Sequence, residues 1–150
     1  MEFLTIFSGL LTPIIAALGI TIAYRQWRTA HDKLRLDLFE KRLEVYDAID
    51  LFVRKSALKH TDKEELAIVF FEAMKKARWL FEPNLLHFCR SKVYKCAADI
   101  ADIWEEHAET EDDEVKAQLI GKIVDKKRQL FALRRELIDV FSPYMAIRTK

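Results

Sequence analysis

Glycine and proline are scarce in this chain, three of each in 150 residues. A fold built from many tight turns needs far more of both, so the scarcity disfavours a turn-rich β architecture and favours long helices. A glycine-rich phosphate loop is excluded, because Gly121 stands alone in the second half. Cysteine is limited to Cys89 and Cys96. Seven residues apart on one helix face, they lie about 10 Å apart, too far for a disulfide, and read as reduced thiols packed as small hydrophobes. Charge of either sign is missing between Glu2 and Arg25. A surplus of one sign is missing as well. All 25 Lys and Arg, and all of the 24 Asp and Glu except Glu2, lie after Tyr24. That part is nearly neutral, and bulk charge implies no nucleic-acid partner.

What is present begins with the uncharged stretch. Residues 3–24 are 22 residues without a charge, about 33 Å as a helix, against a hydrocarbon core of about 30 Å. A cleaved signal peptide would carry a positive start, a shorter apolar run and a small-residue cleavage site. The expected organisation is therefore an uncleaved transmembrane anchor (1–24) followed by a helical domain (25–150). Arg25, Arg28, Lys33 and Arg35 crowd the following side, which the positive-inside rule places in the cytoplasm. Tyr24 and Trp27 fit an aromatic belt at the headgroup level. Within the span, Gly9, Pro13, Ala17 and Thr21 recur every four residues, a spacing that lets helices approach closely in lipid.

Four amphipathic segments are expected. On the first, to about residue 59, Leu34, Leu38, Val45, Ile49 and Phe52 share one stripe, with Phe39, Tyr46 and Val53 beside it. Thr61 with Glu64, or Asp62 with Glu65, forms a capping box for the second. That helix turns Leu66, Phe70, Ala73, Met74, Ala77, Leu80 and Phe81 inward and stops at Glu82-Pro83. The third, 84–107, carries Leu85, Cys89, Val93, Cys96, Ile100, Ile103 and Trp104. Residues 105–114 include seven acids and break the pattern. The fourth, 114–141, is led by Leu119, Ile123, Leu130, Leu137 and Phe141, and Ser142-Pro143 ends it. Short connections predict an antiparallel all-α bundle of about four helices. The acidic loop is then expected far from the bilayer, and Arg148 and Lys150 near anionic lipid.

Gln26-Trp27-Arg28, the run Lys33 to Arg42 (KLRLDLFEKR) and Val45-Tyr46 resemble a group of small bacterial single-pass membrane proteins. The group shares an N-terminal anchor, this juxtamembrane helix, an A-x-x-L-F segment near the middle and a terminal F-x-P-Y. Ala77 with Leu80-Phe81, and Phe141 to Tyr144 (FSPY), match the last two. Where the group has glycine after Leu-Phe, this sequence has Glu82. The resemblance implies an anchored helical fold in the bacterial inner membrane and no particular reaction.

Candidate chemistry is thin. His87 lies about 160° round the helix from Cys89, so the two cannot share a zinc ion. His31, His60 and His107 have no nucleophile at motif spacing. The acidic run lacks the oxygen spacing and glycine of an EF-hand. No cofactor and no enzyme activity are expected. Arg35 and Arg42 on the first helix, and Lys127 and Arg134 on the fourth, fall inside apolar arcs a heptad apart. They are candidates for a basic seam that binds an anion. Otherwise their stems line the core and their heads pair with Asp32, Asp50, Asp99 or Asp102. Ile68 and Trp79, on the polar face of the second helix, are a candidate contact surface. The expected function is a membrane-tethered interaction module whose partner is another protein or a second copy. The alternatives are an oligomerising, toxin-like or defence-associated membrane effector, and a sensor of a small anionic ligand.

Overall fold

The computed structural model describes residues 2–58 and 63–146, with side chains from residue 13 onward. Among the described residues there is no strand. Helix α1 (Glu2–Ser56) is followed by α2 (Lys63–Leu80) and by a continuous third helix made of α3 (Pro83–Phe88), a π-helical turn (Cys89–Tyr94) and α4 (Lys95–Glu109). Helix α5 (Asp113–Met145) completes the bundle. The protein divides into two compact units, Met1–Leu38 and Phe39–Lys150.

In the first unit, Tyr24 and Trp27 have ring centroids 6.2 Å apart, and Trp27 stacks on His31 at 5.7 Å. Leu34 (56% exposed) and Leu38 (40%) stay open, so the inward stripe read from Leu34 to Phe52 is buried only from Val45 on. Residues 3–12 of the expected span have side chains outside the described ones. Among the described residues no helix is long and apolar enough to cross a membrane.

The second unit holds the core. Its helices run antiparallel, because residue numbers fall along one helix as they rise along its neighbour. Arg42 and Asp50 of α1 meet Tyr144 and Arg134 of α5. Glu44 and Phe52 of α1 meet Lys76 and Phe70 of α2. Phe70 and Lys63 of α2 meet Tyr94 and Asp102 of the third helix, whose Lys92 and Asp99 meet Glu136 and Lys126 of α5. The 3.6-residue stripes then close on one another. Val45, Ile49, Val53, Phe70, Met74, Ala77, Leu85, Cys89, Val93, Ile100, Leu130, Leu137 and Phe141 are all buried. Aromatic rings join the layers at edge-on or tilted angles. Phe52 lies 4.7 Å from Phe70, Phe81 5.0 Å from Phe141, and Tyr46 5.4 Å from Phe141.

Helix ends follow the local chemistry. The Asp112 carboxylate accepts from the Glu114 and Val115 amides, and Asp113 and Glu114 favour the positive end of α5. Glu64 and Glu65 open α2, while Arg54 and Lys55 close α1. The capping residues expected at Thr61 and Asp62, like Arg148 and Lys150 of the tail, lie outside the described residues.

Three expectations are corrected. The third helix is not uniformly α, since Cys89–Tyr94 adopts the wider π form. The same helix runs to Glu109 rather than stopping at 107, because Thr110 is the first extended residue. Helix α5 does not stop at Phe141; it carries Pro143 inside its last turn. Proline there forfeits one intrahelical bond. The turn is held from outside, by Arg42 on the Tyr144 carbonyl and by the Tyr144 ring 5.3 Å from Phe81. Glu82 takes φ −72° and ψ 155°, an extended conformation open to any residue, so the α2–α3 turn does without a glycine.

Candidate functional site

The basic seam is the site that sequence reasoning singled out, and its centre is Asp50. This carboxylate is buried on α1 at 7% exposure. An ionised carboxylate so enclosed needs partners. Arg134 supplies a two-pronged one, with Nε 2.5 Å from Oδ1 and Nη2 3.2 Å from Oδ2. Arg54, one turn along α1, brings its Nε to 3.0 Å of Oδ2. The bond to Asp50 raises the pKa of Arg134 above its ordinary value. Burial, and next the negative charge of Asp50, raise that of Tyr46.

Arg42 sits two turns before Asp50 on α1. Its Nη1 donates to the Tyr144 carbonyl at 2.8 Å, and its guanidinium lies 5.9 Å from the Tyr144 ring centroid. The α5 C-terminus is thus capped by a cation where orphan carbonyls and the helix dipole favour one. The Arg42 Nε is buried without a hydrogen-bond partner. Burial raises the pKa of Tyr144, and the negative charge of Glu82 adds to the effect.

The structure brings Arg42 and Arg134 to the α1–α5 seam but does not gather all four cations. The Lys127 ammonium lies 5.5 Å from the Trp104 ring centroid, in a cation–π contact with α4. Arg35 is exposed and belongs to the first unit. Lys126 rather than Lys127 pairs with Asp99, at 2.5 Å. Of the four carboxylates considered as partners, Asp50 holds two arginines, Asp99 holds Lys126, and Asp102 lies 3.6 Å from Lys63. Arg42, Arg134 and Lys127 are directed at three different groups, a carbonyl, a carboxylate and an indole ring.

The other candidate faces can be placed as well. Ile68 and Trp79 are exposed at 63% and 85% on α2. They are three turns apart on the same side, with the Lys75–Glu72 pair between them. Of the span face, Pro13, Ala17 and Thr21 are exposed, and the Thr21 hydroxyl donates back to the Ala17 carbonyl at 2.9 Å. Gly9 lies outside the described side chains. Both cysteines are free and buried, and burial pushes the Cys89 thiol up to about 12. Among the described residues, no group of three His, Cys, Asp or Glu side chains could hold a metal ion.

Sequence reasoning missed a second apolar stripe on α5. Ile120, Val124, Phe131 and Ile138 are 40–55% exposed and recur at four, seven and seven residues. Each adjoins a buried neighbour, in the doublets Leu119-Ile120, Ile123-Val124, Leu130-Phe131 and Leu137-Ile138. A single packing face needs only one member of each doublet, so the doubling itself was the available signal. Comparison with known proteins finds no match among family models, curated proteins or solved structures.

Proposed function

We propose that this protein is a membrane-tethered helical interaction module. Residues 3–24 form a single-pass anchor in a bacterial inner membrane, and the bundle stands in the cytoplasm and binds another protein through its open helix faces. The uncharged 22-residue stretch, the cations that follow it and the resemblance at residues 26–46 support the anchor. The observation that carries the interaction reading is the second apolar stripe of α5, a coiled-coil-like seam on a helix whose core face is already filled. Arg128 and Arg135 border it, four residues after Val124 and Phe131. The partner it fits is a helix with an apolar seam and acidic flanks. Ile68 and Trp79 supply a second contact surface on α2.

The second reading is an oligomerising membrane effector. It is favoured by the exposed small residues Pro13 and Ala17 and by the charge order of α5, whose first turn is acidic and whose middle is basic. A staggered antiparallel pairing of two copies would set the acidic turn of one against the basic middle of the other. The anionic-ligand reading has less support, because Arg42, Lys127 and Arg134 already engage protein groups.

A photoreactive residue at Phe131, compared in cells with one at the exposed Gln129, tests the assignment. A heterologous adduct of defined mass at 131 alone is expected. A dimer-mass adduct together with dye entry on overproduction would favour the effector. No adduct at 131 would sink the α5 interface. A C-terminal reporter read as periplasmic would overturn the topology.

A further inference from the structure

A cavity of about 420 Å³ opens in the second unit between α2, the end of α1 and the third helix. It lies away from the α5 stripe and stands independently of the interaction reading. Its depth is apolar, with Phe52, Leu66, Tyr94 and Trp104 bringing rings and branches. Ala97, Ala98 and Ala101 on α4 leave the space that larger side chains would fill. The Ser56 hydroxyl is already spent on the Phe52 carbonyl, at 2.8 Å. Among the described residues, charge appears only at the mouth. There the Lys63 ammonium is held by Glu105 at 2.5 Å and more loosely by Asp102 at 3.6 Å. Two carboxylates share one cation, and Asp102 is the less engaged.

A second observation points to the same place. The π-helical turn Cys89–Tyr94 ends on a cavity wall. Wider turns of this kind cost hydrogen-bond geometry and recur at functional sites. Here the turn delivers Tyr94, which stacks 6.0 Å from Phe52 and lies 5.1 Å from Phe70. Immediately downstream come the alanines. The volume lies within the range of small-molecule sites, which are apolar cavities with a few polar groups at fixed positions.

We propose that this cavity binds a small aromatic monocation, its rings seated among Phe52, Tyr94, Trp104 and the α4 alanines, and its ammonium at Asp102. The less engaged carboxylate at the mouth selects the charge, and the apolar side chains that line the depth select the body.

The test uses the full-length protein with Trp27→Phe and Trp79→Phe, so that Trp104 is the single indole. The probes are 3,3-diphenylpropylammonium, the matching alcohol and the matching carboxylate, followed by Trp104 emission. A saturable change is expected, tightest for the cation. Ala101→Leu should weaken binding tenfold or more. Asp102→Asn should weaken the cation about two- to fivefold, the range of an exposed charge pair, and leave the alcohol unchanged. If Ala101→Leu lowers the melting temperature steeply, Ala98→Leu and Asp102→Asn decide. No saturable response to any probe, or a response that survives in folded Ala98→Leu and Ala101→Leu variants, would overturn the site. Equal or tighter binding of the alcohol or the carboxylate would overturn the charge assignment.

Discussion

Breaking the Asp50–Arg134 clamp separates a structural ion pair from a merely adjacent one. The Asp50 side chain is 10% exposed, Arg134 40% and Arg54 55%. The pair is therefore neither fully buried nor on the open surface. Fully exposed pairs contribute at most about 1 kcal/mol, whereas removing one partner of a buried pair costs about 3–5 kcal/mol. Arg134→Met leaves a nearly buried carboxylate with Arg54 as its remaining clamp, and the expected loss is about 2 kcal/mol. Asp50→Leu releases two arginines that already reach water, and the expected loss is about 1 kcal/mol. In the double variant the orphaned carboxylate is gone and apolar atoms fill the seam. Its stability is expected at most about 1 kcal/mol below the parent, giving a coupling of about 2–3 kcal/mol. Denaturant unfolding followed by circular dichroism supplies the three differences. A spectroscopic arm checks the geometry. Titration of Tyr46 starts above its ordinary value of 10.0, chiefly through burial and next through Asp50. Asp50→Leu should bring it down part of the way. Strict additivity of the two substitutions, within about 0.3 kcal/mol, would refute the pairing.

Arg42→Leu removes a helix cap but also a buried N–H without a partner, so the net loss should be small, about 1 kcal/mol, and equal in chloride and in phosphate melts. A phosphate-specific change would instead revive an anion site at the seam. Burial holds the Cys89 thiol neutral up to about 12, against an ordinary value of 9.0. The folded state thus keeps a proton that the unfolded state loses. The contribution is fully present below about pH 9 and declines by about 1.4 kcal/mol per pH unit between about 9 and 12. Cys89→Ala should flatten that slope in melts across the alkaline range, apart from whatever Cys96 adds. Asp112→Ala should cost about 1 kcal/mol of thermal stability through the α5 cap, while Asp112→Asn costs less.

Most of the bundle was legible because burial imposes a 3.6-residue period. The inward residues of α2, such as Phe70 and Ala77, and the α5 run from Leu119 to Phe141 are buried as their spacing implies. What escaped depends on neighbours rather than on period. Leu34 and Leu38 continue the α1 stripe perfectly well in sequence, yet they are exposed. Pro143 carries an ordinary stop signal that Arg42 and Phe81, remote in sequence, override. The seam cations were identifiable by their positions in apolar arcs. Position does not fix aim, however, and Arg42, Lys127 and Arg134 reach a carbonyl, an indole ring and a carboxylate respectively. The cavity was not legible at all, since alanines on a helix face read as close packing until the opposing surface is known.

The π-helical turn also bears on how this helix can lengthen or shorten. In a plain α-helix, deleting one residue swings everything downstream by about 100° and carries core side chains into water. A stretch whose bonds span five residues holds one residue more than the α form needs. Deleting the exposed Ser91 can therefore be absorbed by tightening Cys89–Tyr94 into α geometry, leaving Ala97 and Ile100 aimed as before. The third helix contains a spare residue, and its sequence can lose a codon there without losing its register.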